Sequence, residues 1–231
     1  LHLCDRRQRQ MCIRDRCKQG RCIFEYIYFA RADSHFDGIS VYDARIKAGR
    51  FLAQDSPVEA DLVVGVPESG NAAALGYAME SGIPYGTAFV KNSYVGRTFI
   101  KPKQSSREQS VRVKLNVVKE AVAGKRIIMI DDSIVRGTQL RETTEFLYQS
   151  GAKEVHVRPA CPPLLYGCKF LNFSRSKSEL DLITRRIILE KEGENAEKVL
   201  EEYADPTSDR YESMCQEICR RQNFTSLRYH L

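Results

Sequence analysis

The stretch KRIIMIDDSIVRGTQLRETTEFL, residues 125–147, has the clearest pattern of secondary structure in this chain. Four consecutive apolar residues, Ile127 to Ile130, are followed directly by two carboxylates, Asp131 and Asp132. A short turn containing a serine and a glycine comes next, and beyond it the apolar residues recur at helical spacing. The pattern predicts a buried strand, a loop and an amphipathic helix, with two negative charges at the end of the strand.

The same order of elements recurs on both sides of this stretch. DLVVGVP (61–67) predicts a strand, and NAAALGYAMESG (71–82) predicts a helix that a glycine closes. IPYGTAFVK (83–91) and EVHVRPA (154–160) predict two further strands, and ISVYDARIKAGRFLAQ (39–54) has the spacing of an amphipathic helix. Strands that alternate with helices predict an α/β fold, with a parallel sheet and helices on both faces.

Composition and charge narrow the class of protein. The chain has 231 residues, of which 42% are hydrophobic and 29% charged, as is typical of a globular protein with one sizeable core. Its formal charge of +6 does not indicate nucleic acid, because Lys and Arg are mixed with Asp and Glu, although small anionic ligands fit such a balance. No apolar run reaches the roughly 20 residues that span a bilayer, and no signal peptide is evident, so we expect no membrane partner and a cytoplasmic location.

The sequence pattern divides the chain into three segments. Residues 1–19 are rich in arginine without a sustained apolar period, which predicts a disordered or foreign leader. A nucleic-acid-binding arm is the alternative there, although no aromatic residue interleaves the charges. Residues 20–163 form the α/β domain, with a long basic loop at 92–114. Residues 164–231 predict a helical, cysteine-bearing extension, whose charges at helical spacing are typical of a solvated face.

The two carboxylates after the central strand indicate a ligand. In an open parallel sheet, ligands bind beyond the carboxyl ends of the strands, and a loop that enters a helix offers backbone N–H groups to phosphate. Carboxylates beside a phosphate loop suit sugar hydroxyls or a divalent cation, so a phosphorylated sugar satisfies both features. The alternative is that Asp132 or Ser133 simply caps the following helix.

The string IIMIDDSIVRGT resembles the phosphoribosyl-pyrophosphate (PRPP) motif of the type I phosphoribosyltransferases. Further segments resemble the amidophosphoribosyltransferase family, in order and over residues 20–173: CIFEYIYFARADS, GVPESGNAAALGYA, KNSYVGRTFIKP, REQSVRVKLN and KEVHVRPACPP. The resemblance implies a type I phosphoribosyltransferase fold. It also implies transfer of ammonia, which the family obtains from glutamine, to PRPP with release of pyrophosphate, which forms 5-phosphoribosylamine in the first step of purine synthesis.

The resemblance also implies a set of site residues. The acidic pair would contact the ribose hydroxyls, the following loop would hold the 5-phosphate, and the turn after the strand at 61–67 would approach the pyrophosphate. The PRPP-binding residues implied in this way are Ser69, Gly70, Asp131, Asp132, Ser133, Ile134, Val135, Arg136, Gly137 and Thr138. Mg²⁺ would be held by Ser69, Asp131 and Asp132. For Ser69, an ordinary helix cap is the alternative.

The basic loop carries three residues that the resemblance places in catalysis, namely Tyr94, Arg97 and Lys114. Displacement at the anomeric carbon develops oxocarbenium character, which water could intercept, and the departing pyrophosphate must be neutralised. A loop that closes over PRPP would meet both needs. A solvated basic surface loop is the alternative.

Eight cysteines are many for a chain of this class, and in a reducing compartment they favour metal ligands or free thiols over disulfides. Some bacterial members of the family hold a [4Fe–4S] cluster, and the resemblance implies Cys22, Cys168, Cys215 and Cys219 as its ligands. The last pair is spaced C-x3-C, whereas the family has C-x2-C, so one of the two is open as a ligand. The alternative is two cysteines on one helix face.

The family's glutaminase segments do not occur in this sequence, so we expect the chain to be a carboxyl-terminal portion of such an enzyme. The resemblance further implies a homotetramer and inhibition by purine nucleotides. Two other hypotheses stay open. The chain could be a phosphoribosyltransferase that acts on a nucleobase, or a non-catalytic regulator that binds PRPP or nucleotides.

Overall fold

The computed structural model describes residues 22–91, 115–168 and 179–230. A four-stranded sheet with every neighbouring pair parallel lies at its centre, in the order β3-β6-β7-β8. Its strands are β3 (Leu62–Gly65), β6 (Arg126–Asp131), β7 (Glu154–Pro159) and β8 (Ser226–Leu227). Two short antiparallel pairs accompany it, β1 (His35–Phe36) with β2 (Ile39–Ser40), and β4 (Phe89–Lys91) with β5 (Leu115–Val117). In the described ranges, no helix is both long and apolar enough to cross a membrane.

Seven α-helices are described in these ranges. They are α1 (Val41–Asp55), α2 (Gly70–Ser81), α3 (Lys119–Val122), α4 (Thr138–Gln149), α5 (Ile183–Glu192), α6 (Leu200–Ala204) and α7 (Asp209–Gln222). A π-helical turn at Glu25–Phe29 precedes them, and short 3₁₀ turns lie at Glu179–Asp181 and Gly193–Asn195. The helices predicted at 39–54 and 71–82 are confirmed.

Strand β6 shows why helices cover both faces of the sheet. Side chains alternate along a strand, and here Ile127 and Met129 enter one apolar core while Ile128 and Ile130 enter a second. All four side chains are fully buried. A strand buried on both faces reads as a continuous apolar run, and this explains the string IIMI. The predicted fold class, a parallel sheet between two helical layers, is confirmed.

Helices α1 and α2 form one of these layers and pack with their backbones in close approach. A Cβ atom on Gly49 would lie 1.9 Å from the carbonyl oxygen of Ala73, and one on Gly76 would lie 2.1 Å from that of Ile46. Only glycine fits at such distances, so the two helices are held as a tight pair. This pair places the start of α2, and with it the turn after β3, against the sheet.

The segment after residue 179 packs into the other core. Ile187 of α5 and Met214 and Ile218 of α7 are fully buried together with residues of β6 and β7. Strand β8 then adds to β7 with the pairing Val157 to Leu227. This strand was not predicted, because its two residues are too few to show a pattern.

The strand predicted at 83–91 is correct only for its last three residues, and these pair antiparallel with β5 outside the main sheet. The chain first runs along the edge of β3, where Val63 donates its N–H to the Pro84 carbonyl at 2.9 Å and Gly86 donates to the Val63 carbonyl at 3.0 Å. Proline lacks a donor, so a continued ladder is unfavourable there and the chain leaves the sheet.

Candidate functional site

The site lies where β3 and β6 end side by side. The two strands are parallel neighbours, with Gly65 opposite Ile130, so the turn that follows β3 and the loop that follows β6 share one edge of the sheet. This is the edge at which open α/β sheets bind ligands. The VPESGN turn and the DDSIVRGT loop, both of which the resemblance assigns to PRPP, therefore lie side by side.

Gly70 brings the turn onto the end of β6. The hydrogen bonding between β3 and β6 continues one residue past β3, since Val66 donates its N–H to the Ile130 carbonyl at 2.9 Å. The N–H of Gly70 then donates to the Val66 carbonyl at 3.0 Å, which closes the turn. A Cβ atom on Gly70 would lie 2.5 Å from that same Ile130 oxygen. The lack of a side chain at this position lets Ser69 reach the acidic pair.

Asp132 is the centre of a hydrogen-bonded cluster. The Ser69 hydroxyl donates to one of its carboxylate oxygens, and the Ser133 hydroxyl donates to the other at 2.6 Å. The neighbouring Asp131 carboxylate accepts the backbone N–H of Asp132 at 2.9 Å. Asp132 is 8% exposed, whereas Ser69, Asp131 and Ser133 are half-buried. The result is a compact set of oxygen atoms, the ligand type that Mg²⁺ prefers.

The electrostatics of the acidic pair favour a positively charged ligand. Burial raises the pKa of Asp131 well above its ordinary value, and the adjacent charge of Asp132 raises it further. Burial also raises the pKa of Asp132, although the hydrogen bonds from Ser133 and Ser69 and the charge of Arg45 partly oppose this. Two like charges at close range destabilise one another, and a bound cation relieves that repulsion.

Arg45 is a site residue that the sequence analysis missed. It projects from α1, is 8% exposed, and donates from Nε to the Tyr26 carbonyl at 2.7 Å and from its terminal nitrogen to the Ala30 carbonyl at 2.9 Å. It thereby fastens the segment around Glu25–Phe29 near Asp132. The sequence did carry a signal, since helical spacing places Arg45 on the face that α1 buries. Arginine is rarely buried in proteins, so its presence there indicates a specific contact.

The loop from Ser133 to Thr138 is held from its outer side. Ile134 is buried, the N–H of Ile183 donates to the Val135 carbonyl at 2.9 Å, and Arg186 donates to the Arg136 carbonyl at 2.8 Å. Gly137 has a φ of +81°, a left-handed conformation that favours glycine, and it leads directly into α4. Helix α5 therefore supports the loop that sequence analysis assigned to phosphate.

A cavity of about 510 Å³ borders the acidic cluster. Its walls are mostly apolar, from the segment after Cys22 and from helices α1 and α2, while Ser69, Arg45 and Asp132 supply polar atoms. A mainly apolar pocket with a few convergent polar groups is the usual form of a small-molecule site.

The predicted residues fall into three groups. Ser69, Gly70, Asp131, Asp132 and Ser133 are brought together at the edge of the sheet, with the remainder of the loop to Thr138 beside them. Tyr94, Arg97 and Lys114 lie outside the described residues. The four predicted iron ligands form the third group.

These four cysteines are not gathered into one site. Cys22 is exposed and lines the cavity beside Asp132, whereas Cys215 is 3% exposed within the core around α5 and α7. Burial raises the pKa of Cys215 to about 12, and Cys219 donates its S–H to the Phe224 carbonyl at 3.3 Å. Among residues 22–91, 115–168 and 179–230, no three His, Cys, Asp or Glu side chains are placed to hold a metal ion.

Comparisons with known proteins find similarity to amidophosphoribosyltransferases. No protein-family model matches the sequence. The amidophosphoribosyltransferase of Archaeoglobus fulgidus is 58% identical over 163 residues, which are 71% of this chain and 36% of that protein. The enzyme of the same name from Bacillus subtilis is 55% identical over 147 residues, or 64% of this chain and 31% of that protein.

A solved structure shows the same similarity. Glutamine PRPP amidotransferase from B. subtilis, complexed with ADP and GMP, superposes with a TM-score of 0.69 at 42% identity, covering 91% of this chain and 40% of that one. The chain thus spans about a third of the length of the relatives it matches. Its fold is that of the type I phosphoribosyltransferases, and its sequence is similar, over about two thirds of its length, to one segment of the amidophosphoribosyltransferases.

Proposed function

We propose that this chain is the PRPP-binding, synthase portion of an amidophosphoribosyltransferase, which transfers ammonia to PRPP and releases pyrophosphate. One observation carries the proposal: the Ser69, Asp132 and Ser133 side chains form a hydrogen-bonded cluster beside Asp131 at the carboxyl edge of the parallel sheet. This cluster lies in the segment that is similar to the amidophosphoribosyltransferases. Neither alternative, a nucleobase phosphoribosyltransferase or a non-catalytic regulator, has an observation of its own in its favour.

Mg²⁺ would be held by oxygen atoms of Ser69, Asp131 and Asp132. Their chemistry fits, because carboxylate and hydroxyl oxygens are hard ligands, and a cation would offset the repulsion between the two adjacent carboxylates. When bound, the cation would supply positive charge against the pyrophosphate of PRPP. The carboxylates must give up any proton they hold, and the Ser69 hydroxyl must turn from Asp132 towards the new ligand.

The remaining groups would orient the sugar. The acidic pair can accept hydrogen bonds from the ribose hydroxyls, and the loop from Ser133 to Thr138, which leads into α4, can offer N–H groups to the 5-phosphate. The apolar walls of the adjoining cavity would limit water near the anomeric carbon. Reaction then needs no nucleophilic side chain, because ammonia itself attacks as pyrophosphate departs.

Several parts of the proposal lie beyond the described residues or beyond this chain. Tyr94, Arg97 and Lys114 would close over PRPP and meet the pyrophosphate. Glutamine would supply ammonia only through a glutaminase domain of the kind the family carries. A homotetramer, inhibition by purine nucleotides and a cytoplasmic location complete the proposal, and all three rest on the resemblance.

A [4Fe–4S] cluster held by Cys22, Cys168, Cys215 and Cys219 is also a proposal, and no step of the reaction passes through it. The described arrangement does not fit such a cluster, since Cys215 is buried in an apolar core away from the exposed Cys22. Its support is the family resemblance, which assigns these four cysteines to the cluster.

Titration calorimetry with Mg–PRPP tests the proposed site. The double variant Asp131→Asn with Asp132→Asn should keep the fold and lose measurable binding, because it removes both negative charges that face the cation. Asp61→Asn is a matched control, since it removes a carboxylate near the opposite end of β6, where Asp61 pairs with Arg126 at 3.0 Å. Equal affinity in the folded double variant and the control would refute the site.

A further inference from the structure

His230 lies at the same edge of the sheet as the acidic pair, two strands away. The N–H of His230 donates to the Pro159 carbonyl at 3.2 Å, and Pro159 is itself the partner of Asp131 in the pairing of β7 with β6. Strands β6, β7 and β8 run parallel, so the residues that follow them share the edge at which such sheets bind ligands. His230 is therefore placed beside the proposed PRPP site.

The side chain of His230 enters the cavity that borders the acidic cluster. Neighbouring side chains of an extended segment point to opposite faces of a sheet, and Tyr229 belongs to the core around α5 and α7. His230 lies on the other face, with α1, and lines the same cavity of about 510 Å³ as Ser69 and Asp132. Because the walls of this cavity are mostly apolar, an imidazole there is one of few groups that can exchange a proton.

Two residues near the end of α1 hold the imidazole ring. Nδ1 of His230 lies 4.0 Å from a carboxylate oxygen of Asp55, and the ring plane differs by 6° from that of Phe51, with centroids 6.5 Å apart. Nδ1 is buried and makes no hydrogen bond within the described residues, since 4.0 Å is too long for one. Such contacts are often long until substrate binds. A carboxylate at Nδ1 favours the tautomer that carries its proton there, which leaves Nε2 as an acceptor.

The groups around His230 favour its neutral form. Burial lowers the pKa of His230 below its ordinary value, and the charge of Asp55 opposes this only in part. Four other titratable side chains line the cavity: Cys22, Tyr26, Arg45 and Asp132. A neutral imidazole has a lone pair, so at pH 7 the ring can accept a proton.

The reaction proposed above must dispose of one proton. Ammonia forms a bond to the anomeric carbon as the bond from that carbon to the pyrophosphate oxygen breaks, and the attached nitrogen then carries three hydrogens and a positive charge. We infer that His230 accepts one of these protons at Nε2, which leaves neutral phosphoribosylamine, while Asp55 stabilises the imidazolium at Nδ1. The ring is 22% exposed, so it can pass the proton on to water. This inference rests on the proposed function.

Release of pyrophosphate by the full chain, at saturating Mg–PRPP and a fixed concentration of unprotonated ammonia, tests the inference. In the native chain kcat should rise with pH through the pKa of His230, because only the neutral ring accepts a proton. His230→Gln should lower kcat about 100-fold, abolish that rise and leave the KM for PRPP unchanged. His35→Gln, which removes an exposed imidazole from β1, is the matched control and should change neither kcat nor its pH dependence.

Asp55→Asn gives a second reading, which also serves if His230→Gln fails to fold. It should lower kcat and move the rise to lower pH, because the charge of Asp55 raises the pKa of His230 and a role in packing alone predicts no such shift. If ammonia is used but both variants keep the native kcat and pH dependence, the inference is overturned and the proposed function stands. If the native chain binds Mg–PRPP and releases no pyrophosphate with ammonia, the proposed activity fails and the inference fails with it.

Discussion

Gly70→Ala should damage the proposed PRPP site far more than it damages the fold. The new methyl group would lie 2.5 Å from the Ile130 carbonyl oxygen and 3.4 Å from the Cα atom of Asp131, and both are backbone atoms of the central strand. Because β6 is bonded on both sides, the turn that carries Ser69 must move instead. A shift of about 0.5 Å brings the contact to 3.0 Å, and displacements of 0.5 to 1 Å at a site cost on the order of 10-fold to 100-fold in function.

The assay is titration with Mg–PRPP together with urea unfolding. Overpacking of this kind costs about 1–3 kcal/mol of unfolding free energy. Gly82→Ala is the control, since Gly82 caps the same helix in a left-handed conformation with nothing within 4 Å of its Cβ position, so its cost of about 1 kcal/mol arises far from the acidic pair. Equal PRPP affinity in the two variants would show that the position of Ser69 does not govern binding.

Three other predictions follow from the site and its surroundings. Without ligand, the free energy of unfolding should fall as pH rises from about 4 through the raised pKa values of Asp131 and Asp132, because the folded state holds those protons more tightly. Urea unfolding between pH 4 and 8 should show this dependence on pH in the native chain and not in the double Asn variant. The same pH dependence in both would mean that the acidic pair is not its source. The chain should form phosphoribosylamine from PRPP with ammonia but not with glutamine, as followed by pyrophosphate release, and turnover with glutamine would reveal a glutaminase site within these residues. If the [4Fe–4S] proposal is right, anaerobically prepared protein should hold about four irons per chain and lose them in Cys22→Ser or Cys168→Ser; absence of iron, with all eight thiols reactive after unfolding without reduction, would refute it.

The central unit of the fold could be predicted because its pattern is local. The apolar run at Ile127 to Ile130 predicts a strand buried on both faces, and the glycine after Ser81 predicts the end of α2, which closes with Gly82 at a φ of +73°. The acidic pair could be predicted for the same reason, since a parallel strand delivers the residues that follow it to the ligand edge. Periodicity and strand direction are therefore sufficient to place the acidic pair at this edge of the sheet.

Other features depend on contacts between distant segments. Strand β8 exists because Thr225 donates its N–H to the Val155 carbonyl at 2.8 Å and Leu227 pairs with Val157, and nothing within its own two residues indicates this. Arg45 acts on a segment about 15 to 19 residues away through two backbone carbonyls. Gly137 likewise lies against the side chains of Ile183 and Gln222, a proximity that follows from the docking of α5 and α7.

The loop from Ser133 to Thr138 is held from both sides. On its inner side, Ser133 donates to Asp132, and on its outer side Val135 and Arg136 accept hydrogen bonds from α5. Its position therefore depends on β6 and on a helix about 50 residues further along the chain, which no local pattern in the sequence indicates.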